Sequence, residues 1–304
     1  MPPKIAPRPR PVYHHARTTG RLDMQICRTI PQARASAAAF RQDGATLALV
    51  PTMGALHAGH LSLIDRARTE ASRVIVSILV NPTQFGPTDG FAAYPRPLDQ
   101  DLTLLRAARV DAVFLPEVAD LYPHGAQTIV EPPEMARLLL GKLHPGHFRG
   151  VATVVNKLFN IWQPDVACFG EKDYQQLCVI RQMVRDLHLP LRICAVPAMR
   201  DGDGLVMSSR NARLTPEDRT AALVLGRTLI EAQAMARTGI TASRLRAWIA
   251  ATIQSEPRAD LQSADIRDAQ TLEPVSGTLT APAVILLSVR FGTILLTDQC
   301  IVCG

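Results

Sequence analysis

Two histidines sit three residues apart in a glycine-punctuated stretch: Met53, Gly54, Ala55, Leu56, His57, Ala58, Gly59, His60. A short apolar run, 46–50, ends just before it, and an apolar-periodic segment, 61–71, follows. That places the histidines at a strand-to-helix junction. A helix N-terminus exposes free backbone N–H groups and partial positive charge, so it attracts phosphate. Two imidazoles there can donate hydrogen bonds to an α-phosphate and to the charge that grows during displacement. Exposed turn histidines are the plain alternative. The paired His-x-Gly-His spacing at such a junction favours nucleotide chemistry.

Four further segments could serve the same chemistry. Gly170, Glu171, Lys172 and Asp173 open a helix after a strand, and Lys172 is a point charge suited to phosphate. Gln176 lies one turn on and can face the same cleft. Met207, Ser208, Ser209 and Arg210 put two hydroxyls and a guanidinium in one loop, a candidate phosphate clamp. Asn81 and Gln84 end the buried run 73–80 with uncharged donors and acceptors, which suit a small polyhydroxy acid. The glycine-bounded loop 145–150 is either a lid or a helix entry. The chain contains neither a Gly-x-x-x-x-Gly-Lys-Ser/Thr phosphate loop nor a Gly-x-Ser-x-Gly elbow. P-loop NTPases and α/β-hydrolases are disfavoured accordingly.

The elements that must hold these residues alternate. Helices are expected over 31–41, 61–71, 98–108, 151–163 and 173–187, with strands over 46–50, 73–80, 112–115, 166–169 and 191–196. Continuous apolar strands separated by such helices imply βαβ units and a parallel sheet buried on both faces. In such sheets ligands bind beyond the carboxyl ends of the strands, where these motifs fall. After about residue 198 the rhythm changes. Thr215-Pro216-Glu217 reads as a helix start for 216–238, a second helix runs 241–254, and strands follow over 264–267, 283–290 and 293–297. The expected organisation is an extension over 1–23, an α/β parallel-sheet domain over 24–198 and a smaller α+β domain over 199–304. The clamp at 207–210 then lies past the boundary from the histidines, so phosphates would be gripped from both domains.

Charge and composition remove other classes. The net charge is +6, but residues 1–23 hold five Lys/Arg against one Asp, and the rest of the chain is only +2. Aromatic residues are 5%. A basic face with stacking aromatics, as an RNA-binding module needs, is not there, so no nucleic-acid partner is expected. Apolar runs fall far below the ~18 residues of a membrane span, so no membrane partner is expected. Residues 1–23 carry five prolines and few apolar groups, which predicts a disordered extension whose removal changes neither stability nor activity. Six irregularly spaced cysteines point to a reducing cytoplasm, and Cys300-x-x-Cys303 alone supplies only two of four zinc ligands.

Taken together, PTMGALHxGH, VNPxQF, YPR, HFRGV, FGEKDYQQ and MSSRN, in this order, resemble the pantoate–β-alanine ligase family. His57-Ala-Gly-His60 is similar to the HxGH signature of a wider adenylyl-transferring superfamily, and Met207-Ser-Ser-Arg210 to its KMSKS-type signature. The resemblance covers residues 24–298. It implies a Rossmann-like ATP- and pantoate-binding domain and a homodimer. The reaction it implies is ATP- and Mg²⁺-dependent condensation of pantoate with β-alanine through pantoyl adenylate. It further implies ATP contacts along Met53–His60, at Gly170–Asp173, Met199 and Met207–Arg210. His60, His57 and Lys172 would be catalytic, Gln84, Gln176 and Asn81 would bind pantoate, and Asp101 would contact Mg²⁺. His144 stands where the family usually has Arg. Another nucleotidyltransferase of the superfamily, acting on a different small acid, is the alternative; it would lack the VNPxQF and GEKDYQQ pair.

Overall fold

The computed structural model describes residues 23–86 and 91–303. The expectation for the extension falls almost wholly outside them. The first half runs β1 (Gln25–Cys27), α1 (Ile30–Gln42), β2 (Leu47–Thr52), α2 (Ala58–Glu70), β3 (Arg73–Ile78), α3 (Leu98–Ala107), β4 (Ala112–Phe114) and α4 (Val118–Leu121). It continues with α5 (Leu139–Leu143), α6 (His147–Trp162), β5 (Val166–Gly170), α7 (Tyr174–Asp186) and β6 (Arg192–Val196). The strands form one parallel sheet in the order β1-β4-β3-β2-β5-β6. Val74–Val76 on β3 and Ala112–Phe114 on β4 are almost fully buried, because helices cover both faces. Phe114, Phe159 and Trp162 fill one side of the sheet, and Ile64, Leu105 and Val113 fill the other.

The chain winds outward from β2 through β3 to β4, then crosses back to β5 and β6. The direction therefore reverses between β2 and β5. Their ladder covers only Ala48↔Val166 and Leu49↔Ala167, whereas β2 and β3 pair over six residues. Asp165 fixes the start of this junction by accepting the Leu47 N–H at 2.7 Å. Beyond Leu49 the two strands no longer pair, and such a parting of parallel strands at their carboxyl ends is where a ligand crevice usually lies.

The second half holds α8 (Pro216–Ala221), α9 (Leu223–Ala236), α10 (Ala242–Gln254) and the antiparallel strands β7 (Ala259–Asp268), β8 (Ala283–Phe291) and β9 (Ile294–Val302). Its core, centred on Leu225, Leu245, Ile285 and Phe291, draws on residues from Leu205 onward. Ala269, Leu272 and Val284 instead join the core of the first half, and the Tyr174 hydroxyl donates to the Ala269 carbonyl at 2.8 Å.

Several boundaries differ from expectation. The helix expected over 216–238 is two helices, parted at Ala222, with Thr215 capping the first and Asp218 tied to Arg258 at 2.9 Å. α6 begins at His147 rather than 151. Gly150 lies inside it and not in a turn, because the helix crosses the Thr83 carbonyl so closely that a Cβ on Gly150 would lie 2.3 Å from that oxygen. β9 runs past 297 to Val302. Its continuation is hidden in the sequence by Asp298 and Gln299, two polar residues that the structure buries. Cys300 faces the core and Cys303 is exposed, so these two cysteines do not converge on one ligand.

Asp298 can be buried because Arg200 neutralises it through two hydrogen bonds of 2.8 and 2.9 Å, while also donating to the Gly204 carbonyl at 3.0 Å. This pair ties the 199–207 loop to β9. Arg200→Met removes the counter-charge from a carboxylate that is 1% exposed. It should lower unfolding free energy by about 3 kcal/mol. Urea titration checks this, and an unchanged midpoint contradicts it.

Candidate active site

The turn from β2 to α2 is the densest part of the site. Gly54 (φ +81) and Ala55 (φ +51) are both left-handed. His57 is the N-cap of α2, and His60 is its third residue, so the helix starts three residues earlier than expected and takes both imidazoles into its first turn. They form a reciprocal cap. The His57 Nδ1 accepts the Gly59 N–H at 3.1 Å, and the His60 Nδ1 accepts the His57 N–H at 3.3 Å. The rings lie 4.2 Å apart.

These contacts settle the tautomers. A backbone N–H can only donate, so each Nδ1 must carry a lone pair, and in each neutral ring the proton sits on Nε2. Burial, and after it the Lys172 charge, lowers the His57 pKa. Burial pushes His60 down to about 4; His57 and Lys172 add to this, and Asp173 opposes it. Both rings are therefore neutral Nε2–H donors at physiological pH. A donor of this kind can stabilise charge without first losing or gaining a proton.

Lys172 comes from the other side of the crevice, in a 3₁₀ turn Glu171–Asp173 directly after β5. It lies 3.7 Å from Asp173 and is mostly buried. Its neighbours Gln175 and Gln176 divide their roles. Gln175 is buried, donates to the Met135 and Leu138 carbonyls at 2.8 and 2.7 Å, and accepts from Leu140 at 3.1 Å. Gln176 is half-buried, and its side-chain amide has no hydrogen-bond partner among the described residues.

Asn81 and Gln84 follow β3. Asn81 is 1% exposed, and its amide is fully used: it donates to Gln84 Oε1 at 2.9 Å and to the Gly150 carbonyl at 3.2 Å, and it accepts from Thr83. With its amide used in this way, Asn81, expected to bind pantoate behind Gln84, orients the Gln84 side chain. His147 donates to the Gln84 carbonyl at 2.8 Å. The half-buried Gln84 amide nitrogen is left as a donor.

The loop that carries Ser208 and Arg210 is a narrow hairpin. The Met207 N–H donates to the Met199 carbonyl at 2.8 Å, so these two methionines are neighbours. Arg219 braces the loop through Asp201, at 2.9 Å, and Asp203. Ser208 caps the turn Ser209–Arg213, and Arg210 is exposed.

Tyr94, which stands in the YPR segment and was not singled out from the sequence, packs beside the Asn81–Gln84 segment. Its ring packs edge-on against Phe85 at 5.9 Å, and Arg96 donates to the carbonyls of Phe91, Ala92 and Tyr94. Burial raises the phenol pKa, as do Asp101 and Asp173, while Arg210 opposes them. Asp101 of α3, Asp173 of the turn after β5 and Arg210 thus all lie near enough to act on a phenol that stays protonated.

Asp101, expected at Mg²⁺, is 2% exposed, and its oxygens accept the N–H groups of Ala55 and Leu56 at 2.9 and 2.7 Å. Among the described residues no three His, Cys, Asp or Glu side chains form a metal-holding cluster. This donor set does not fit a resident metal centre.

Parallel strands that part over a pair of neutral imidazoles, with a lysine near them, make an α/β site suited to a polyanion such as a nucleotide. A sequence model described as Pantoate-beta-alanine ligase matches residues 25–301, and the chain belongs to the pantoate–β-alanine ligase family. A pantothenate synthetase of Bartonella bacilliformis is 48% identical over 91% of this chain and 99% of that one. Among solved structures, pantothenate synthetase from Thermus thermophilus is similar with TM-score 0.84 and 40% identity, covering 92% of this chain and 100% of that one. Pantoate-beta-alanine ligase from Francisella tularensis, complexed with beta-gamma ATP and beta-alanine, is similar with TM-score 0.73 and 36% identity, covering 91% and 97%. These relatives support this ligase reading over the alternative nucleotidyltransferase. Among the described residues no helix is long and apolar enough to cross a membrane.

The low His60 pKa has a measurable consequence. An unfolded histidine takes up its proton near 6.5, whereas folded His60 does so near 4. The unfolded state therefore binds more protons between these values. Stability is unaffected by His60 above about pH 6.5 and falls as pH drops towards 4. In His60→Ala the stability–pH curve should be flatter over that window than in the wild type. Parallel curves would contradict it.

Proposed function

We propose that this chain condenses D-pantoate with β-alanine, using ATP, and releases pantothenate, AMP and pyrophosphate. The observation that carries this is the reciprocal imidazole cap, two neutral Nε2–H donors at a helix N-terminus beside Lys172. In the first step a pantoate carboxylate oxygen bonds to the α-phosphorus of ATP. The bond from that phosphorus to the β-phosphate oxygen breaks, and pyrophosphate leaves with its electron pair. In the second step the β-alanine amine bonds to the acyl carbon. The acyl C–O bond breaks, AMP leaves, and the amine loses a proton. A free carboxylate is a poor acyl donor, and AMP is a good leaving group. The protein's share is positioning and charge stabilisation.

His60 donates to the α-phosphate and His57 supports it. The turn Met53–His60, Gly170–Asp173 and Met199 line the nucleotide. Lys172, Ser208, Ser209 and Arg210 take the β- and γ-phosphates. Gln84 and Gln176 hold pantoate. Mg²⁺, in this reading, arrives on the phosphate oxygens of ATP, in keeping with its preference for phosphate and water ligands. The domain boundary near residue 198, a homodimer and a cytoplasmic location complete the reading, on the strength of the family resemblance.

An omission assay tests the function. Pyrophosphate release should require ATP and pantoate, and AMP release should require β-alanine as well. AMP release independent of β-alanine would refute the ligase.

Gln84→Ala tests the acid pocket. It should raise the KM for pantoate by about tenfold, the scale of one lost hydrogen bond, and leave the KM for ATP within about twofold. Equal losses for both ligands would remove Gln84 from the pocket.

A further inference from the structure

The turn that carries the site has a backbone problem of its own. With Gly54 and Ala55 both left-handed, successive N–H groups swing to one side of the chain and form a small anion-binding hollow. The N–H groups of Ala55 and Leu56 point into it, away from the start of α2. The hollow is already filled. The Asp101 carboxylate, from the first turn of α3, places one oxygen 2.9 Å from the Ala55 nitrogen and the other 2.7 Å from the Leu56 nitrogen. Gly54 abuts the same carboxylate, and a Cβ there would lie 3.0 Å from Asp101 Oδ2 and from Ile78 Cγ2. Asp101 is 2% exposed.

We propose that Asp101 is a positioning residue. It locks the left-handed turn and through it sets the reciprocal imidazole cap that begins one residue after Leu56. It acts on the reaction through His57 and His60, and it is not a ligand of Mg²⁺. An ordinary α-helix N-cap would leave this turn free to relax, because Ala55 gains nothing from a left-handed conformation by itself. With both oxygens engaged, the carboxylate fixes where the two Nε2–H groups stand. The kinetic part of the test rests on the pantoate–β-alanine ligase reading; the spectroscopic part does not.

Asp101→Asn keeps the size but turns one acceptor into a donor facing a backbone N–H. Its kcat should fall about 10- to 100-fold, the scale of a small displacement of a catalytic group. The KM for ATP and the Mg²⁺ concentration for half-activation should stay within about twofold. His60→Ala alone should cost about 10²–10³-fold in kcat, and the double variant should be no slower than His60→Ala, since residues acting as a unit are not additive. The ¹⁵N spectra of the two imidazoles should show Nε2–H tautomers in the wild type and altered shifts in Asp101→Asn. If Asp101→Asn does not fold, Gly54→Ala presses on the same carboxylate and should give the same pattern. A higher Mg²⁺ requirement repaired by excess Mg²⁺, losses that multiply in the double variant, or unchanged imidazole shifts in a folded variant would each overturn the proposal. A wild-type protein that makes no AMP from the full substrate set would overturn the functional reading alone, and the imidazole spectra would still judge Asp101.

Discussion

A strand ending at Thr52 becomes a helix at Ala58, and the five residues between must reverse direction while every buried backbone N–H finds an acceptor. Asp101 meets that need for Ala55 and Leu56, and the two imidazoles meet it for His57 and Gly59. The same hydrogen bonds that satisfy the backbone also aim the Nε2–H groups. Structure and chemistry here share one set of donors and acceptors. This is why the first turn of α2 carries histidines where serine, threonine or aspartate usually cap.

The sheet supplies the space in front of this turn. β2 and β5 pair over two residues and then part, so the β2 turn and the β5 turn face each other across the gap. Burial lowers the pKa of both histidines in the first turn, and Lys172 in the second adds to it. A cation and two imidazoles held close together repel further protonation and invite a polyanion. The third side of the gap is built by close approach: Gly150 lets α6 lie against the Thr83 carbonyl, and Asn81 reaches across to the Gly150 carbonyl while holding Gln84. The imidazole turn and the Asn81–Gln84 segment thus sit on adjacent strand ends of one sheet.

The fourth side belongs to the second half of the chain. The 199–207 hairpin is fastened at its base by half-buried Arg200 on buried Asp298 and braced by Arg219. Ser208 and Arg210 extend from that fastened base. Arg210, in the turn that follows the hairpin, is exposed and near enough to influence Tyr94.

Local pattern was enough for five of the six strands of the parallel α/β half, the strand-end location of the motifs, and the family; the three-residue β1 was too short to show. Buried β-branched runs, helical periods and the His-x-Gly-His, Glu-Lys-Asp and Ser-Ser-Arg segments all speak through neighbours in sequence. The roles of Asp101 and Asn81 could not be read that way. Each is a polar residue whose partners lie on another element: Asp101 with a turn some 45 residues away, Asn81 with Gly150 at a separation of 69. The same holds for Asp298, whose burial depends on Arg200 at a separation of 98 and hid the end of β9. Tautomers and pKa values are tertiary too, since burial and Lys172 set them. Sequence determines which groups are available; only the folded chain decides which of them are consumed by the scaffold and which remain free for a substrate.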